Sequence, residues 1–132
     1  MNCDELTNMN LSKLIKFHEQ KKPLITMALA PFYCRFSIVN ISRNFKINNF
    51  KYGKKIKSLP VSMGVYVFNH AVIDEIPKKG SIEDMTFAKL VNSGKIISHI
   101  LEDNEYWISV NTVKDIKDAE TELRKWKTNL KQ

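Results

Sequence analysis

Apolar residues recur at helical spacing at Leu11, Leu14, Ile15 and Phe17, directly after Asn10, whose side chain can cap a first turn. The pattern stops at Lys22-Pro23, where proline disfavours continuation, so a helix is predicted from Asn10 to about Lys22. Residues 24–30 form a short apolar run of buried-strand character. Residues 35–41 and 45–52 read as two further strands, antiparallel across the polar turn Ser42-Arg43-Asn44. Residues 61–68 set Val61, Met63, Val65 and Val67 against Ser62, Gly64, Tyr66 and Phe68, a strand with both faces occupied and a central place in its sheet. A helical turn over 70–76 follows. Ser81-Ile82-Glu83-Asp84 has the form of a capping box before Phe87, Leu90 and Val91, and Gly94 ends that helix. Residues 95–101 and 106–110 are predicted strands. Thr112-Val113-Lys114-Asp115 opens a final helix through Ile116, Ala119, Leu123 and Trp126.

Alternation of helices and strands, interrupted by a hairpin, predicts an α/β unit with a mixed sheet and flanking helices. The opening Met1-Asn2-Cys3-Asp4-Glu5-Leu6-Thr7 offers no strand before the first helix, so that helix has only half of a βαβ context and the fold is expected to begin part-way through. Length changes the picture little: 132 residues make one unit, and 43% hydrophobic with 27% charged residues is the balance of a folding chain rather than a disordered one. The apolar stretch 24–32 is too short to span a bilayer and no basic leader precedes an apolar run, so a soluble cytoplasmic protein without membrane contact is expected. Cys3 and Cys34 have no metal-ligand spacing and read as ordinary thiols. The net charge of +7 favours anionic ligands, but it is spread over Lys21-Lys22, Lys54-Lys55-Lys57, Lys78-Lys79 and Arg124-Lys125-Lys127 at turns and helix ends. Specific nucleic-acid reading is not expected from so diffuse a charge. His18, His70 and His99 lack the spacing of a metal site or triad and read as packing or surface residues.

Five stretches, in order, carry a resemblance. Asn2-Cys3-Asp4 with Leu6-Thr7, the helix ending Phe17-His18 with the strand after it, Ser62-Met63-Gly64-Val65-Tyr66-Val67-Phe68, Ser81 to Asp84, and Tyr106-Trp107 through Asn111-Thr112 and Asp115 together resemble the nucleotide-sugar pyrophosphorylases. These sugar-phosphate nucleotidyltransferases, of the glucose-1-phosphate thymidylyltransferase or mannose-1-phosphate guanylyltransferase type, join a nucleoside triphosphate to a sugar 1-phosphate. The resemblance implies residues 1–132 to be one partial domain, the C-terminal half of a Rossmann-like, glycosyltransferase-A-like catalytic fold. It implies Mg²⁺ as cofactor with Asp4 as a ligand, since that cation prefers carboxylate oxygens. It also implies Gly64, Tyr66 and Glu83 at the sugar site and Lys54 or Lys55 on phosphate. A glycine at 64 would let backbone approach a sugar closely.

Departures from that pattern shape the expected activity. The family's Gly-rich phosphate loop has no counterpart here, Cys3 stands where the first motif has glycine, and no Glu accompanies Tyr52-Gly53-Lys54. Ser109 and Asn111 occupy the places where a second metal-binding Asp is usual, and so count as vestigial metal positions. One lost transition-state donor can cost about 3 kcal/mol. Negligible turnover by the chain alone is therefore expected. The leading reading is a split or truncated nucleotidyltransferase half, with nucleotide and sugar phosphate as ligands if a site survives. The alternative is a non-catalytic or regulatory partner that pairs with an intact homologue, an N-terminal half or a second copy, since unpaired strand edges recruit other strands.

Overall fold

A computed structural model describes the backbone of residues 1–129 and the side chains through Trp126, so Lys127 of the last basic cluster lies outside the described side chains. The elements run β1 (Glu5–Thr7), α1 (Leu11–Lys21), β2 (Ile25–Ile41), β3 (Ile47–Phe68), a 3₁₀ turn (His70–Glu75), a π turn (Glu83–Phe87) leading into α2 (Ala88–Asn92), β4 (Ile96–Ile100), β5 (Trp107–Ser109) and α3 (Val113–Asn129). The main sheet has the order β3-β2-β4, with β2 antiparallel to β3 and parallel to β4, and is therefore mixed as expected.

Helix α1 starts where its chemistry dictates: Asn10 Oδ1 accepts the Lys13 N–H at 3.1 Å, and Lys22 closes the helix in a left-handed conformation before Pro23. The base of the sheet is covered on both faces, because alternate side chains of a strand leave opposite sides. On one face Leu14 and Met9 pack with Ala28, Ala30, Met63, Val65 and Leu101. On the other, Ile25 meets Val72, Phe87 and Leu90, with Met27, Tyr66 and Ile96 at the margin. His18 is a packing residue, buried with its Nδ1 2.8 Å from the Thr26 hydroxyl.

Four expectations are corrected. Residues 5–7 do form a strand, β1, which pairs antiparallel with β5 in a separate two-stranded sheet. Residues 61–68 lie at the sheet edge rather than centrally: β2 takes the middle because β4 returns beside it, pairing Ile25 with Ile96 through Leu29 with Ile100. The expected breaks between residues 30 and 35 and between 52 and 61 are absent, and the hairpin is one continuous pair of long strands. Pro31 faces Pro60, two residues that need no donor partner, and the register shifts directly after them instead of the strands ending. At the far tip Phe45, expected to begin a strand, sits in the turn with φ 63°, and its N–H donates to the Ser42 carbonyl.

Beyond Pro31 the hairpin leaves β4 behind. Phe36, Phe45 and Phe50 stand 79%, 87% and 65% exposed, with Val39, Ile41, Ile47 and Tyr52 also exposed. This arm is tied to the rest by ion pairs of Arg35 with Asp115 and Lys57 with Asp103.

Candidate functional site

Of the expected site residues, Asp4, Gly64, Tyr66, Ser109 and Asn111 lie on or beside the small sheet and the bulged part of β3, while Glu83 lies in the π turn and Lys54 and Lys55 lie in the arm. Register slips between Met27–Tyr66 and Leu29–Ser62, placing two extra residues on β3, and Gly64 occupies this bulge with φ +66°. Its carbonyl accepts the Asn2 N–H at 2.9 Å. A Cβ at Gly64 would come within 2.7 Å of Asn2 Nδ2 and 3.1 Å of Glu5 Cγ. Glycine is thus required here both by its conformation and by close approach of the chain's own opening residues.

Asp4 is exposed just before β1, and its carbonyl accepts the Val110 N–H at 2.8 Å. The β1–β5 register sets Glu5 opposite Ser109 and Thr7 opposite Trp107. Trp107 Nε1 donates to Glu5 Oε2 at 2.6 Å, Ser109 Oγ donates to Glu5 Oε1 at 3.4 Å, and Asn111 Nδ2 donates to Ser109 Oγ at 2.8 Å. Burial pushes the Glu5 carboxyl above its ordinary range, against the Trp107 hydrogen bond, and the neighbouring Asp4 charge pushes the same way as burial. Glu5 was not singled out from the sequence. Its signal is the shared parity of Glu5 and Thr7 in a strand whose partner lies a hundred residues away.

Tyr66 stacks on Phe68 with centroids 5.8 Å apart, tilts against Phe87 at 5.0 Å, and its hydroxyl lies 3.1 Å from that of Ser62. The turn bearing Glu83 therefore packs beside Tyr66. Glu83 accepts the Ser81 hydroxyl, and Ser81 Oγ in turn accepts the Asp84 N–H, so the expected cap forms, though it opens a π turn rather than a regular helix.

Lys54 and Lys55 sit in the arm, opposite Cys34 and Tyr33. Lys55 lines a cleft of about 820 Å³ together with Arg35, Tyr106, Trp107, Ser109 and Asn111. Lys54 lines the neighbouring groove with Lys51 and Lys57. The Tyr106 hydroxyl is buried without a hydrogen-bond partner among the described residues, and burial, then the Glu122 charge, holds its proton more tightly than usual. One wall of the cleft is fixed by α3. Thr112 and Asp115 exchange both bonds of the capping box, and Arg35 donates to Asp115 Oδ1 at 2.6 Å. The Thr112 hydroxyl above all, then Arg35 and the two backbone N–H groups, hold Asp115 below the ordinary carboxylate range against its burial.

The donor set does not fit Mg²⁺. That cation demands several hard oxygens in near-octahedral array, whereas Ser109 and Asn111 bring no charge and both Glu5 oxygens already face donors. Among the described residues no three His, Cys, Asp or Glu side chains converge on a position that could hold a metal.

A family described as nucleotidyl transferase matches residues 1–125. Glucose-1-phosphate adenylyltransferase of Mycoplasma mobile is 32% identical over 96% of this chain and 36% of its own length, and that of Clostridium kluyveri is 30% identical over 92% and 35%. The chain thus spans about a third of the length of the curated relatives it matches. A crystal structure from Bacillus anthracis, assigned as a glucose-1-phosphate thymidylyltransferase in complex with a sucrose, superposes with a TM-score of 0.60 over 89% of this chain and 50% of that one. At 16% identity that likeness shows the shared fold.

Proposed function

This chain belongs to the nucleotidyl transferase family, and within it to the sugar-phosphate nucleotidyltransferases; from that premise we propose that its 132 residues form the sugar-phosphate side of a nucleotide-sugar-forming site and do not turn over alone. The ligands on this reading are a hexose 1-phosphate and a nucleoside triphosphate, and the place of work is the cytoplasm. The observation that carries it is the cleft of about 820 Å³ that brings Lys55 to Trp107, Ser109 and Asn111, with Arg35, held by Asp115, and the acidic Asp118 and Glu122 also in its lining.

In-line attack of a sugar phosphate on a nucleotide requires opposing groups that neutralise the triphosphate. This chain's own residues can orient one reactant. Lys55 offers a cation at the cleft mouth, Gly64 sets the bulge that seats the opening residues, and the turn bearing Glu83 buttresses Tyr66 at the margin of the expected sugar site. The groups that would grip the triphosphate are assigned to a second polypeptide or segment. The test is to mix the chain with the front segment of a relative and assay pyrophosphate release from nucleoside triphosphate and glucose 1-phosphate. Recovery of release, lost in Lys55→Ala, is expected; a matched front segment that binds the chain yet restores nothing would contradict the reading.

The exposed apolar arm favours a second reading, a non-catalytic partner that docks on an intact homologue. Sedimentation of the chain with and without such a homologue distinguishes it: a monomer in both mixtures excludes docking.

A further inference from the structure

The Glu5 carboxylate, at the corner where β1 meets β5, is held by donors of the protein itself. Glu5 and Ser109 are direct partners in an antiparallel pair, so their side chains rise on one side of it. Trp107 Nε1 holds one Glu5 oxygen at 2.6 Å, the Ser109 hydroxyl approaches the other at 3.4 Å, and Asn111 Nδ2 in turn donates to Ser109 Oγ at 2.8 Å. Charge-assisted bonds of this kind are the strong ones, and the Trp107 contact is short for an N–H donor. β1 is three residues long, too short to hold its place by ladder bonds alone, so this side-chain chain fixes the segment that carries Asp4.

We propose that Glu5 is a cation-independent clamp: it fastens β1 to β5 through the Trp107 and Ser109 donors, and the corner formed by Asp4, Glu5, Ser109 and Asn111 takes up no divalent cation. A cation bound to Glu5 would have to displace the Trp107 N–H, leaving a half-buried donor without a partner. It would gain in return the neutral Ser109 hydroxyl and Asn111 amide, and the exposed Asp4 carboxylate alone would add charge, too few hard ligands to offset its dehydration. The missing charge at position 109 is what excludes it. The argument concerns the corner's own chemistry and stands whether or not the chain works with a second segment.

The test uses the intact chain with Trp126→Phe, so that emission reports Trp107, titrated with Mn²⁺ and Mg²⁺ and compared in chelator. Expected are emission free of any saturable Mn²⁺ quenching and a thermal midpoint equal in Mg²⁺ and in chelator. In the same background Ser109→Asp restores a carboxylate beside Glu5, and is expected to gain both saturable Mn²⁺ quenching and a midpoint that rises with Mg²⁺. Glu5→Gln is expected to shift Trp107 emission without creating any cation response. Saturable quenching in the parent chain that disappears in Glu5→Gln would overturn the proposal, as would a flat response in Ser109→Asp.

Discussion

The base of the hairpin and its arm are the same two strands, yet they differ in almost everything that makes a strand stable. In the base, Ile25, Ala28 and Met63 are fully buried between α1 on one face and the 3₁₀ turn and α2 on the other, and β4 supplies a third strand. In the arm, aromatic and branched residues keep the composition of a strand but many stand exposed, and among the described residues the ion pairs Arg35–Asp115 and Lys57–Asp103 tie it to the rest. The exposed Lys57–Asp103 pair adds little stability. Pairing alone therefore builds the arm and packing builds the base, so folding energy resides in the base while the arm is a surface awaiting a use.

Substitutions that separate the two regions should rank accordingly. Ile25→Ala, at a fully buried position, is expected to cost about 3 kcal/mol and to dominate the series in urea unfolding. An equal loss from an arm residue such as Phe50 would erase the distinction. Gly64→Ala should cost about 1–2 kcal/mol in the same assay, because the new methyl meets Asn2 while the backbone stays left-handed. Acid should act at the junction, through Asp115 and Asp103, and in the base, where Glu75 pairs with Lys89. Asp115, Glu75 and Asp103 lie below their ordinary carboxylate range, so the stability they add is present above that range and is lost as pH falls through their folded values. Glu5 is shifted upward and works in the opposite sense, favouring the fold at low pH and losing that contribution as pH rises through its folded value. Thermal midpoints followed from neutral to acid should fall, less steeply in Asp115→Asn and more steeply in Glu5→Gln. The smallest effect belongs to the arm: Phe50→Ser is expected to change unfolding free energy by no more than about 0.5 kcal/mol, since the residue is 65% exposed.

How legible all this is in the sequence follows the same division. Elements whose signals are local, the Asn10-capped helix, the start of β2 at Ile25 and the capping box at Thr112 to Asp115, stand where the pattern puts them. Strand β1 was hidden because three residues carry no periodicity of their own and are defined by Trp107 to Ser109 across the chain. The centre of the sheet was misplaced because occupation of both faces marks burial, which an edge strand also has when helices cover both its sides. At the site, the motif positions Gly64, Tyr66 and Ser109 were visible as residue types. The role of Glu5 was not, because it depends on an antiparallel register that no local spacing encodes. The strand ends expected at 30 and 61 fall next to Pro31 and Pro60, which instead face each other across a continuous pair.

The most direct test of the central claim is pyrophosphate release by the purified 132-residue chain given nucleoside triphosphate, glucose 1-phosphate and Mg²⁺. The account predicts release no faster than the protein-free control; sustained turnover, abolished by Asp4→Asn, would contradict it.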